Sequence, residues 1–304
     1  MIYTITLNPS IDYVIQMDHL ELGTVNRMDT DFKFPGGKGI NVSRILQRLE
    51  IPNTALGYVG GFTGAFITNE LAKENITTDF ISIAEDTRIN VKIKAQQETE
   101  INGAGPMISE AEQQQLFDQL SQVTKEDIIV FAGSTPKNLK DGFYQKLIQF
   151  VTERGAQFVI DTTGKDLEAA LSFRPLVVKP NKDELAELYQ TTFETQEDIY
   201  PYAQKLMAEG AQQVLISMAG DGALLFEGEN IYFAAPLKKP LKNSVGAGDS
   251  MIAGFTGTYA QTKNPLEAFK MGVACGSATA FSDDLATADF IQECYNEVVI
   301  EKIK

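Results

Sequence analysis

The run Asn243-Ser-Val-Gly246-Ala247-Gly248-Asp249-Ser250 is followed directly by the apolar stretch Met251-Ile-Ala-Gly-Phe255. Small residues leading into a helix-compatible run place Gly246 to Asp249 at a helix N-terminus, where free backbone N–H groups and the positive dipole end suit a phosphate. A carboxylate there lies beside a transferring phosphoryl group, and Asp249 could accept the proton of an attacking hydroxyl. The plainer reading is a strand-to-helix turn in which Asp249 is only a cap. A second glycine-rich turn, Pro35-Gly36-Gly37-Lys38-Gly39-Ile40-Asn41, also opens a helix and carries a cation. Asn41 in its first turn can donate to a sugar hydroxyl or a phosphate. It is not a Walker A loop, because Gly39 follows Lys38 where Ser or Thr is needed and Phe32 occupies the first glycine position. A turn that needs glycine only for its backbone geometry remains the alternative. The chain has no GxGxxG run, so a dinucleotide fingerprint is absent. Two anion-binding turns, one with a cation and one with a carboxylate, suit an enzyme that brings a phosphate donor to a polyol acceptor.

Positioning such turns is the work of the elements between them. From about residue 127 onward, unbroken apolar runs such as Asp127-Ile-Ile-Val-Phe-Ala132 and Gln157-Phe-Val-Ile-Asp161 alternate with amphipathic stretches. Strands buried on both faces read this way, and the intervening segments are long enough for crossover helices. The expected fold class is therefore α/β, a mainly parallel central sheet flanked by helices. Val42, Ile45, Leu46 and Leu49 recur at helical spacing, which predicts a helix over Gly39 to Leu49. Residues of about 11–34 and 87–101 instead show period-two alternation, as in Thr87-Arg-Ile-Asn-Val-Lys-Ile-Lys-Ala95. They predict a small antiparallel sheet built from two insertions in one domain of residues 1–304, a lid over the site. Two edge hairpins on the main sheet would give the same pattern.

The formal net charge of -15 and pI near 4.6 exclude a protein that tracks a nucleic-acid backbone, which needs a basic face. Cys275 and Cys294 lack metal-ligand spacing and read as buried thiols. A single histidine, His19, removes HExxH zinc sites and multi-histidine clusters, and its setting, Asp18-His19-Leu20-Glu21, is that of a surface residue. No apolar run reaches bilayer-spanning length and the first residues lack a secretory pattern, so no membrane partner and a cytoplasmic location are expected.

Pro35-Gly-Gly-Lys-Gly39 near the start and Asn243-Ser-Val-Gly-Ala-Gly-Asp-Ser250 near the end resemble the two signatures of the PfkB family of carbohydrate kinases, which have the ribokinase-like fold. Thr6-Leu-Asn-Pro-Ser-Ile-Asp12, Glu98-Thr-Glu-Ile-Asn-Gly-Ala-Gly-Pro106, Lys179-Pro-Asn-Lys-Asp-Glu-Leu185 and Ala278-Thr-Ala-Phe-Ser282 extend the likeness across the chain. The resemblance implies that Asp249 is the catalytic base and that Gly246, Ala247 and Gly248 form the anion hole for the γ-phosphate of ATP. It places Asn181 and Glu184 at Mg²⁺ and the nucleotide phosphates, Glu184 acting through water, although the same two residues spell a capping box. Asp12 matches the residue that holds sugar hydroxyls. Gly36, Gly37 and Asn41 belong to the acceptor side. Lys38, Arg88 and Lys92 are the cations that would hold the acceptor's own phosphate, with Asn90 between the last two on one strand face. Ser217, Gly220 and Gly222 resemble the nucleotide-side loop, and Ala274 and Ser277 fall on the helix that borders adenine.

Asn243 departs from the Asp that many family members have there, which weakens the case for a ribokinase-type monovalent-cation site. The implied reaction is phosphorylation of fructose 1-phosphate to fructose 1,6-bisphosphate, with tagatose 6-phosphate as the alternative acceptor. A silent nucleotide or sugar-phosphate sensor is the reading from another class, and a carboxylate beside phosphates argues against it. The apolar face of the lid sheet suggests a homodimer formed through it.

Overall fold

The computed structural model describes residues 1–139 and 142–304. Strand β1 (Ile2–Thr6) leads into the hairpin β2 (Ser10–Gln16) and β3 (Thr30–Gly36), then helix α1 (Lys38–Arg48). The chain continues through β4 (Asn53–Gly60), α2 (Gly61–Lys73) and β5 (Thr77–Ile83) to a second hairpin, β6 (Arg88–Lys94) and β7 (Glu98–Asn102). Helix α3 (Glu110–Leu120), β8 (Ile128–Ala132), α4 (Phe143–Thr152), β9 (Gln157–Asp161), α5 (Gly164–Leu171), β10 (Val177–Val178) and α6 (Lys182–Leu188) follow. The last part comprises α7 (Tyr200–Glu209), β11 (Gln213–Ser217), β12 (Ala223–Glu227), β13 (Asn230–Ala234), α8 (Ala247–Thr262), α9 (Pro265–Ala280), α10 (Ala288–Glu297) and β14 (Ile300–Lys302).

Ten strands form one sheet in the order β14-β13-β12-β11-β10-β9-β8-β1-β4-β5, parallel from β11 to β5 and antiparallel beyond. The unbroken apolar runs are its interior: every residue of β8 is buried. One face packs on α3, α4, α5, α6 and α7 through residues such as Leu116, Leu147, Leu167, Leu185 and Leu206. The other packs on α1, α8, α9 and α10 through Ile45, Phe255, Phe269 and Ile291. From β1 the chain builds outward through β4 and β5, then returns and builds the other way through β8, β9, β10 and β11. The reversal lies between β1 and β8, and ligands of such sheets bind at that switch point, outside the carboxyl ends of the strands.

A four-stranded sheet, β3-β2-β6-β7, stands over this end. The hairpins β2–β3 and β6–β7 are antiparallel as alternation suggested, but the central pair, β2 and β6, runs parallel with Asp12 opposite Asn90. Two hairpins contributed by separate segments meet along their first strands, and nothing in a local pattern sets the relative direction of strands joined through another sheet. Ile11 closes the underside of this sheet on Ile67 and Leu71 of α2.

Candidate functional site

A cleft of about 1180 Å³ opens between the small sheet and the carboxyl ends of β1, β8, β9, β10 and β11. At one end, the β2–β6 register brings Ser10, Asp12, Asn90 and Lys92 together. Asn90 Nδ2 donates to Ser10 Oγ at 3.0 Å and to Asp12 Oδ1 at 3.2 Å, and Lys92 Nζ pairs with Asp12 Oδ2 at 3.1 Å. Gly36 lies beneath Asp12, since a Cβ there would fall 2.4 Å from Asp12 Oδ1. It makes room for the carboxylate and is itself buried. Arg88 donates from Nε to the Asn8 carbonyl and from Nη1 to that of Gly103, so its guanidinium is fixed at the same end.

The middle of the cleft holds four charged groups. Gly246 adopts φ 79°, a left-handed conformation open to glycine, and starts α8 so that Ala247, Gly248 and Asp249 form its first turn. Asp249 is buried, and Asn41 Nδ2 from α1 donates to its Oδ2 at 2.8 Å. Burial, reinforced by the nearby Asp161 carboxylate, pushes the Asp249 carboxyl up to about 6. Asp161, at the last position of β9, bonds Lys38 Nζ at 3.1 Å and faces Lys179 Nζ at 3.7 Å. Burial alone would raise Asp161, but Lys179 and Lys38 outweigh it and hold its carboxyl below the ordinary value. Burial likewise works against the Lys38 ammonium, yet Asp161 and Asp249 leave its pKa raised. Lys179 Nζ also sits 3.0 Å from the place of a Cβ on Gly248, beside the turn that starts α8.

Lys38 therefore pairs within this central group, apart from Arg88 and Lys92 at the small-sheet end. Its position at the start of α1 turns the side chain toward Asp161 at the end of β9. Lys92 is poorly suited to hold the acceptor's own phosphate, because Asp12 already balances its charge. Asp161 and Lys179 are functional candidates that sequence reasoning missed. The available signal was positional: each ends or follows a buried parallel strand, the carboxyl-end location where such folds keep their chemistry.

At the other end, Asn181 and Glu184 line the cleft and form a reciprocal capping box at the start of α6: Asn181 N donates to Glu184 Oε2 at 2.8 Å and Glu184 N to Asn181 Oδ1 at 2.7 Å. Ser217, Gly220 and Gly222 line the same end, as do Gly37 and Asn41 nearer the middle. On α9 the lining residues are Val273, Gly276, Ser277 and Ala280. Ala274 is fully buried in the core against α8, so its assignment to the nucleotide is corrected.

Residues 5–289 match the family model described as pfkB family carbohydrate kinase. The chain is 46% identical to a 1-phosphofructokinase of Bacillus subtilis over 303 residues, covering all of both proteins. It is 36% identical to a D-tagatose-1-phosphate kinase of Bacillus licheniformis, covering 99% of each. The crystal structure of phosphofructokinase-2 from Escherichia coli in complex with substrates and products superposes with a TM-score of 0.91 at 30% identity, covering 97% of this chain and 98% of that one. With both signature turns facing one cleft at the switch point of the sheet, the chain belongs to the pfkB family of carbohydrate kinases.

Proposed function

We propose that this protein transfers the γ-phosphoryl group of ATP to the 6-hydroxyl of fructose 1-phosphate, giving fructose 1,6-bisphosphate and ADP. The observation that carries the reading is Asp249, a buried carboxylate at the N-terminus of α8 whose pKa of about 6 suits a general base near neutral pH. Asp249 takes the proton of the acceptor hydroxyl as its oxygen forms a bond to the γ-phosphorus. The bond from that phosphorus to the β,γ-bridging oxygen breaks, and the electron pair leaves with ADP. The Gly248 N–H at the start of α8 faces the transferring group, Ala247 N–H being spent on the Ser244 carbonyl, and Lys38 and Lys179 flank it, so charge developing on its oxygens meets fixed donors. The nucleotide lies toward Asn181, Ser217, Gly220, Gly222 and Ser277, and the sugar lies against Asp12 and Asn90.

The donor set at the nucleotide end, Glu184 and Asn181, is all oxygen, and one Glu184 oxygen is held in the capping box. That fits Mg²⁺ kept through its water shell and the phosphates, whose charge it would neutralise when bound. Arg88 is the anchor for the acceptor's own phosphate. No helix among the described residues is long and apolar enough to cross a membrane, and the cytoplasm is the compartment that supplies both substrates. Ile89 and Ile101 on one side of the small sheet and Phe32 on the other are exposed, which supports the sheet as a lid that also carries a homodimer contact. Light scattering at micromolar concentration should give twice the 33.4 kDa chain mass, and a monomer mass would remove the dimer.

The acceptor is tested by kcat/KM for fructose 1-phosphate, D-tagatose 1-phosphate, tagatose 6-phosphate, fructose 6-phosphate and fructose measured side by side. Fructose 1-phosphate should lead, and fructose should trail it by roughly 10³-fold or more, because a site built around a charged partner rejects the analogue lacking it. A lead for either tagatose phosphate would replace the acceptor and spare the kinase mechanism. A lead for fructose would remove the phosphate-anchoring role of Arg88.

A further inference from the structure

Arg44 is 4% exposed although it carries a full charge, and it lies three residues beyond Asn41 on α1. A guanidinium out of water is costly unless its planar fork is filled. Here it is filled from two different elements. Arg44 Nε donates to both oxygens of Glu74, the C-cap of α2, at 2.9 and 3.0 Å. Nη1 and Nη2 donate to the two oxygens of Asp284 at 3.2 and 2.6 Å. Arg48, one turn on, donates to the Ala286 carbonyl at 2.5 Å. Helix α1 does not need these bonds to pack, since Val42, Ile45 and Leu46 are fully buried on the sheet side.

What they hold is the segment after α9, and that segment supports the turn before α8. Leu285, next to Asp284, is packed so closely on Gly246 that a Cβ there would lie 2.7 Å from Leu285 Cδ2, with Asn41 Nδ2 3.6 Å from the same point. Ala286 N donates to Thr279 Oγ1, which shares a 2.9 Å hydrogen bond with Ser250 Oγ, the residue after Asp249. Asn243 Nδ2 donates to the Asp283 carbonyl at 3.3 Å. Leu285 and Asn41 thus both pack where a Gly246 side chain would stand, and both trace back to α1.

We propose that Arg44 is a positioning residue for phosphoryl transfer: by bridging Glu74 and Asp284 it seats Leu285 on Gly246 and fixes the Gly246–Asp249 turn against Asn41. This inference rests on the kinase reading above. A small misplacement of reacting groups is enough to cost about 100-fold in rate, while the nucleotide end of the cleft, at Asn181, Ser217, Gly220 and Gly222, lies apart from Arg44 and Asp284, which line a smaller cavity beside Asp12 and Lys92.

The test uses Arg44→Lys, which keeps the charge and loses the fork, and Asp284→Asn, which keeps the shape and loses the charge. Each should lower kcat about 10- to 100-fold with the KM for ATP within about threefold. The double variant should be no slower than the worse single one. Amide exchange over residues 244–250 should quicken in both single variants, a readout that needs no acceptor and so separates failure of the clamp from failure of the kinase reading. Unchanged kcat and unchanged exchange in folded Arg44→Lys overturn the proposal, as does a fall in melting temperature with kcat per folded molecule intact.

Discussion

Asp249→Asn should bind ATP as the parent does while its turnover falls by on the order of 10²–10⁴, the usual contribution of a positioned general base. The amide keeps the shape of the carboxylate and its side-chain oxygen can still accept from Asn41 Nδ2, which now donates to Asp249 at 2.8 Å. The loss therefore reports the missing proton acceptor. Parental turnover in a folded variant would remove Asp249 from that role.

The same carboxyl makes two pH predictions with one sign. Its pKa is pushed up to about 6 by burial and by Asp161. Activity of the parent should fall along an acid limb as pH drops through that region, because the protonated carboxyl accepts nothing. For stability, a folded pKa above the unfolded value of roughly 4 means that the contribution of Asp249 is fully present below about pH 4 and is lost as pH rises through about 6. Asp249→Asn should accordingly be more stable than the parent at pH 8, by up to about 3 kcal/mol, and the gain should vanish near pH 4. A variant that loses turnover while gaining stability is the signature of a strained functional group.

The parallel sheet was legible because strands buried on both faces need unbroken apolar runs, and β8 and β9 have them. The two glycine-rich turns were legible because a phosphate site at a helix N-terminus is a local feature of chain and cap. Asp161 and Lys179 were not, because their meeting depends on β9 and β10 lying side by side, and a sequence states no strand order. Lys38 was legible as a site cation, but its pairing with Asp161 was not, for the same reason: its turn was readable, and the direction of its side chain was not. Ala274 failed through phase. Helix α9 is lined with small buried residues such as Gly272, Ala274, Gly276 and Ala278, and a helix without a polar stripe does not reveal which side meets a cleft. The Asn181–Glu184 pair shows the reverse case, where a structural cap and a cleft-lining position coincide in the same side chains.

Asp161→Asn should be the most destabilising single change in the site. Among the described residues, Asp161 is the one carboxylate bonded to Lys38 while it also faces Lys179, and both Asp161 and Lys179 are buried. Removing it leaves Lys38 with an outlet, because that side chain is 41% exposed, but leaves the ammonium of Lys179, at 6%, in place without its partner. Breaking a buried pair by deleting one member costs about 3–5 kcal/mol, and the low end applies because Asp249 remains within electrostatic reach of Lys179. Urea denaturation at pH 7.5 should show a loss of about 3 kcal/mol. Because the folded carboxyl of Asp161 lies below its ordinary value, its stabilisation is present above about pH 4 and is lost as pH falls through the folded pKa. The penalty of the variant should therefore shrink in acid. Lys38→Met should cost less than about 1 kcal/mol, since Asp161 keeps Lys179. The double variant Asp161→Asn, Lys179→Met should recover part of the loss, because it removes the stranded charge along with its partner. The acid limb of turnover should also move to lower pH in Asp161→Asn, as the carboxylate that raises Asp249 is gone. A double variant less stable than Asp161→Asn alone would show that Lys179 is held by contacts other than this pair, and an unmoved acid limb would show that Asp161 does not act on Asp249.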